Sequence, residues 1–243
     1  MQPENKFLET ADIETSSDDY ASRFQGPTGE WLLHIQEQAT LSMLTQYPNA
    51  SILDVGGGHG QLTEALINKG FALTVLGSSL SCQNRIKPYI DAGQCEFKVG
   101  DVLSLPYPDN TFDIVVSYRF LAHVNQWQAF LSELGRVAKT AVLVDYPTTR
   151  SINYLSPLLF KFKKGVEGNT RQFICYQEKE LLDFCSSIGL EKDNRHPQFF
   201  WPMVLHRMLK QPKVSELLEN PVKKLGLTYI WGSPVITRFH KVH

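Results

Sequence analysis

Short apolar runs alternate along the chain with longer stretches of helical spacing. Ser51–Val55, Phe71–Leu76, Cys95–Val99, Thr111–Ser117 and Thr140–Tyr146 are brief runs rich in apolar residues, and such runs predict strands buried within a parallel sheet. Between them His59–Lys69, Leu80–Ala92 and Gln126–Ala138 carry helical spacing, with Gly70 as a stop and Pro88 predicted to kink or shorten its helix. Upstream, Trp31–Tyr47 predicts a helix with an irregular apolar stripe, ended by Pro48-Asn49, and residues 1–18 are polar and acid-rich and predict a loose arm. Downstream, Gln177–Ile188 predicts a helix, Leu190–Pro197 a sixth strand, residues 199–225 amphipathic helix and Pro234–Phe239 a final strand. This rhythm predicts an α/β, doubly wound, mostly parallel sheet with helices on both faces. It divides the chain into an N-terminal arm and helix (1–50), a ligand-binding core (51–146), and lid or substrate-facing insertions with C-terminal strands of the same domain (147–243).

Composition narrows the options. The 243 residues are 42% hydrophobic, enough for one substantial core, and the formal net charge is −1. A near-neutral chain lacks the overall positive field of a protein that clamps phosphate backbones, so no nucleic-acid partner is expected. Cys82, Cys95, Cys175 and Cys185 form no CxxC pair and no zinc spacing. They read as reduced thiols, with one disulfide as the alternative, and no metal is expected. The first residues show no basic stretch followed by an apolar one, and no apolar run reaches the roughly 20 residues of a membrane span. A cytoplasmic protein is expected.

The chemistry concentrates in Ile52-Leu53-Asp54-Val55-Gly56-Gly57-Gly58-His59-Gly60-Gln61. An acid at the end of a strand, followed by glycines at 56, 58 and 60, makes a tight turn into free helix N–H groups. Dinucleotide enzymes use a different spacing, Gly-x-Gly-x-x-Gly, to aim a helix start at a pyrophosphate. An acid inside the turn suits a ligand with cationic groups instead. With the downstream segments Gly100-Asp101-Val102, Leu105-Pro106-Tyr107 and Phe112-Asp113-Ile114-Val115, this pattern resembles the class I, Rossmann-like S-adenosylmethionine-dependent methyltransferases, especially their small-molecule branch.

The resemblance covers residues 51–146 well and implies a seven-stranded sheet whose last strand is antiparallel. It implies that Asp54 and the loop Gly56, Gly57, Gly58, His59 and Gly60 hold the methionine part of S-adenosylmethionine, with S-adenosylhomocysteine as product. It further implies that Asp101 bonds the adenine amino group, that Val102 packs on the ring, and that Ser117 stands beside the cofactor. One position departs from the family. Gly77 stands where the family carries an acid for the ribose hydroxyls, so an acid installed at Gly77 is expected to tighten cofactor binding. Ser78 or Ser79 is left either to contact the ribose or to cap the next helix.

The fourth strand runs into Ser117-Tyr118-Arg119-Phe120-Leu121-Ala122-His123, and in a doubly wound sheet ligands bind at the carboxyl ends of strands. Tyr118, Arg119 and Tyr146 are therefore candidate contacts for a small organic acceptor, and His123 is a candidate base. Plainer readings stand beside these. His123 packs or caps, Arg119 is a solvated surface residue, and Asp145 turns the chain before Pro147. Glu167–Phe173 closes over substrate or is an ordinary loop, and His196 with Phe199-Phe200-Trp201 lines a pocket or fills the core. The functional expectation is an enzyme that methylates a small, partly apolar molecule, and the rival is a methyltransferase-like binding or scaffold protein.

Overall fold

The computed structural model describes residues 7–152 and 173–242. Seven strands form one sheet in the order β3-β2-β1-β4-β5-β7-β6. They are β1 (Ser51–Val55), β2 (Ala72–Gly77), β3 (Cys95–Val99), β4 (Phe112–Ser117), β5 (Ala138–Tyr146), β6 (Leu190–Pro197) and β7 (Val235–Lys241). The first five pair in parallel, and β7 runs antiparallel to both β5 and β6. The sheet is thus the mixed, doubly wound one that the alternation and the resemblance predict. Chain order reverses between β1 and β4, where open α/β sheets hold their ligands. Asp113 at the start of β4 fixes that pair, because its Oδ2 accepts from Ser51 N at 2.8 Å and Ser51 Oγ at 2.7 Å. These bonds hold its carboxyl below the usual range.

Helices cover both faces. On one, α3 (Gly26–Leu44) and α4 (Thr63–Asn68) pack on Ile52, Ile114, Val116, Leu143 and Ile236. On the other, α6 (Trp127–Val137) and α7 (Glu178–Ser187) pack on Leu53, Val115, Val142 and Phe239. Arg238 on β7 ties the layers together, with its Nη2 2.6 Å from Asp193 and its Nη1 donating to Met43 O on α3. Among the described residues no helix is long and apolar enough to cross a membrane.

Three elements differ from the sequence expectation. The helix expected from His59 begins at Thr63, because Gly57–His59 is a tight 3-10 turn. The segment expected as one helix over 80–92 is a 3-10 turn, Leu80–Gln83, and a short helix, α5 (Lys87–Asp91), whose first turn holds Pro88. Residues 199–225 divide into α8 (Met203–Leu209) and α9 (Pro212–Lys224), with α10 (Leu227–Trp231) beyond. The N-terminal segment is the larger correction. From Ala11 it is not a loose arm but two short helices, α1 (Ala11–Thr15) and α2 (Asp18–Ser22), with Ala11 and Asp12 fully inside the protein. A polar segment is buried because its acids find donors in the core, as the next subsection details.

Candidate functional site

The turn after β1 is built around Asp54. Gly56 adopts a left-handed φ of +78°. Gly57 has no room for a side chain, since a Cβ there would lie 2.1 Å from the Asp54 carboxylate. Asp54 therefore sits under bare backbone. Neither of its oxygens has a hydrogen-bond partner, and burial pushes its carboxyl up to about 7. His59 faces β4: its Nδ1 accepts from Gln61 N at 3.1 Å, which leaves Nε2 to donate to Tyr118 O at 3.3 Å. Burial pulls its pKa down to about 4, so the ring is neutral at ordinary pH and locks the turn to the end of β4. Ser117 does similar work, donating to Val55 O at 2.8 Å.

The N-terminal segment lies across this turn. Glu9 Oε1 accepts from Asn125 N at 2.8 Å and Gln126 N at 3.1 Å, at the start of α6. Asp12 accepts from Ser78 N and Ser78 Oγ, each at 2.5 Å, and from Cys82 Sγ at 3.3 Å. Ser16 Oγ stands against Gly58, 2.6 Å from where a Cβ would sit. Residues 9–16 thus run from α6 past the end of β2 to the glycine turn, and both donors of Ser78 are engaged by Asp12. Ser79 caps the following 3-10 turn, accepting from Ser81 N at 3.3 Å, so it follows the capping alternative. Asp101 is half-buried and accepts from Leu103 N at 2.9 Å, and Val102 is buried. Asp12→Ala leaves the buried Ser78 N–H without its acceptor, at about 1–3 kcal/mol. Amide hydrogen exchange across residues 9–22 is expected to quicken in that variant while β1 and β4 stay protected.

At the ends of β4 and β5 lies a cavity of about 180 Å³ whose walls include Tyr20, Phe24, Arg119, His123, Asp145 and Met203, and no residue of the glycine turn lines it. Arg119 follows β4 with φ +59°. Its N–H donates to Asp145 Oδ1 at 2.6 Å, and its Nε lies 3.7 Å from Asp145 Oδ2. The guanidinium rests over the Phe24 ring at 5.3 Å, and its Nη1 donates to Met203 Sδ at 3.5 Å. Burial pushes the Asp145 carboxyl up, opposed by the Arg119 charge.

Arg119 and His123 therefore line one cavity, and Arg119 is not the solvated surface residue of the plainer reading. His123 meets the Phe173 ring at 5.6 Å. Tyr118 and Tyr146 do not join them. Tyr118 points to the α3 face, where Thr40 donates to its hydroxyl at 3.0 Å, and Tyr146 is buried against Tyr176 and Thr237. Phe199 stacks between Trp31 and His206, which is core packing. The loop candidates from Glu167 to Gln172 lie outside the described residues. Tyr20, Phe24 and Met203 carry no motif that marks them for the cavity.

A β3-β2-β1-β4-β5-β7-β6 sheet with a glycine turn after β1 defines the class I, Rossmann-like methyltransferase fold. The methyltransferase-domain family matches residues 53–143, the stretch from β1 to β5 that carries the glycine turn. It is 29% identical over 201 residues to the chloroplastic "probable tocopherol O-methyltransferase" of Oryza sativa subsp. japonica, covering 72% of this chain and 53% of that protein. It is 35% identical over 95 residues to the demethylmenaquinone methyltransferase of Renibacterium salmoninarum, covering 38% of each. These matches span about half or less of those relatives' length. Magnesium protoporphyrin IX methyltransferase from Synechocystis PCC 6803, solved with bound SAH, shares the fold with a TM-score of 0.67 at 13% identity, over 96% of this chain and 97% of that one.

Proposed function

We propose that the chain transfers a methyl group from S-adenosylmethionine to a small, partly apolar organic acceptor, leaving S-adenosylhomocysteine. The observation that carries this is the Asp54 carboxylate, buried without a partner under the glycine turn. A buried carboxylate without a donor is costly, and a ligand ammonium relieves that cost. Asp54 and Gly56–Gly60 would hold the amino-acid part, Asp101 and Val102 the adenine, and Gly77, Ser78 and Ser79 would border the ribose. Ser78 serves it only by releasing Asp12. The bound cofactor supplies the methyl group on a sulfonium, an excellent leaving group. The chain then has mainly to align the acceptor, which the cavity walls at Phe24, Met203 and Arg119 support. His123 lines the same cavity and is the residue we assign to take a proton from an acceptor that must lose one. The named relatives act on small organic molecules, which supports an acceptor of that class and neither a nucleic-acid partner nor a metal. The free thiols of Cys82, Cys95, Cys175 and Cys185 support a reducing, cytoplasmic setting.

Calorimetric titration of the full chain with S-adenosylmethionine and S-adenosylhomocysteine tests this reading. Micromolar binding of both is the expected result. No heat at millimolar ligand would sink it and leave the methyltransferase-like binding or scaffold protein.

A further inference from the structure

Arg119 is held in an arrangement that its own protein does not complete. Its side chain is 8% exposed, and Nε and Nη2 have no hydrogen-bond partner. The nearest carboxylate, Asp145, spends its short bond on the Arg119 backbone N–H at 2.6 Å and stands 3.7 Å from Nε. That pair balances charge without satisfying the guanidinium donors. The backbone adds a second sign. A non-glycine residue at φ +59° is strained, by roughly 1 kcal/mol or more, and the residue that carries this strain lines the cavity. Buried guanidinium donors left open are costly unless a ligand completes them.

From the unsatisfied Arg119 guanidinium on a mainly apolar cavity, which His123, Asp145 and Arg207 also border, we propose that the acceptor is an organic monoanion bearing a carboxylate on an apolar, ring-sized body. Arg119 is the contact for that carboxylate. A guanidinium presents paired donors whose planar geometry matches two carboxylate oxygens. Phe24, Ala122, Pro147 and Met203 supply apolar walls for the rest, and about 180 Å³ suits a single ring with a short substituent. A neutral molecule of the same shape fills the walls and leaves the guanidinium unpaired, so the site discriminates by charge more than by size.

The proposal rests on reading the cavity as the acceptor site. Its test is a titration of the full chain, saturated with S-adenosylhomocysteine, with trans-cinnamate and separately with trans-cinnamamide. A hydrogen bond to a charged group predicts cinnamate binding at least about tenfold more tightly than the amide. Arg119→Gln alone leaves Asp145 buried without its countercharge and can unfold the protein. The variant for comparison is therefore the double change Arg119→Gln with Asp145→Asn, checked by thermal melt, in which the two ligands should bind alike. Equal affinity in the native protein, no cinnamate binding at millimolar concentration, or a preference that survives in the double variant would each overturn the proposal. The same titration series separates the two readings. Binding of S-adenosylhomocysteine with no cinnamate preference removes the anion contact and leaves the methyltransferase reading. A cinnamate preference without S-adenosylhomocysteine binding does the reverse.

Discussion

Asp54→Asn is expected to raise the melting temperature of the cofactor-free protein at pH 8 and to leave it unchanged at pH 4. The folded carboxyl sits at about 7 against an ordinary value of 3.8, because burial penalises its charged form. An acid whose pKa is raised by folding is protonated in the folded chain while the unfolded chain has already released its proton. Stability is therefore intact below pH 4, falls as pH climbs from 4 to 7, and stays low above 7. The full loss is on the order of 4 kcal/mol. An asparagine of the same shape carries no such charge, although its own buried amide offsets part of the gain. A net 2–3 kcal/mol corresponds to roughly 5–10 °C in a chain of this size. The same variant should bind S-adenosylhomocysteine about ten- to a hundredfold more weakly, since a charge-assisted contact contributes about 1.5–3 kcal/mol. In the native protein a ligand ammonium draws the proton off Asp54, so affinity should rise between pH 5 and 7. Melting curves at the two pH values, with calorimetry across that range, check both halves. A melting difference that does not vary with pH would mean that Asp54 is ionised and satisfied in the free protein.

The parts of the fold that sequence made legible are those set by neighbouring residues. Ser51–Val55 is followed by three consecutive glycines, so strand, turn and buried acid are all local, and the turn forms where the spacing places it. Cys95–Val99 and Leu190–Pro197 coincide with their predicted bounds. What local reading misses is contact across distance. Asp12 meets Ser78 across 66 positions, and nothing in a polar, acid-rich stretch marks one aspartate as buried. The end of β4 shows a subtler gap. Tyr118 and Arg119 are neighbours, and both were expected at the crevice. Yet both lie just past the end of β4, and the left-handed φ of +59° at Arg119, which no sequence pattern announces, turns the two side chains apart. The structure gives Tyr118 to α3 and Arg119 to the cavity. Tyr20 and Phe24 reach the cavity only because α2 folds back over the sheet ends, a consequence of how residues 9–16 dock.

Gly77→Asp is expected to destabilise the protein and to weaken, not tighten, the binding of S-adenosylhomocysteine. A glycine where the family carries a ribose acid predicts room for one. The structure gives no such place on this backbone. Gly77 closes β2, paired with Val99, and a Cβ there would stand 2.8 Å from Cys82 Cβ and 3.1 Å from Phe97 Cζ. Its φ is not among the positive ones, so the obstacle is space rather than backbone conformation. Relieving that overlap costs about 1–3 kcal/mol. An aspartate adds a second penalty, because its charge enters beside Ser78, whose donors are already taken by Asp12, and like charges this close repel. Gly77→Ala separates the two effects, since it carries the overlap without the charge. The expected order of melting temperatures is native, then Gly77→Ala, then Gly77→Asp, with a total fall of several degrees for the last. The affinity should follow the same order, because Cys82, whose carbonyl oxygen stands 2.2 Å from where a Gly58 Cβ would sit, is pressed toward the glycine turn. A Gly77→Asp protein that melts with the native one and binds S-adenosylhomocysteine more tightly would show that β2 yields enough to seat an acid, and the ribose would then lie where the sequence placed it.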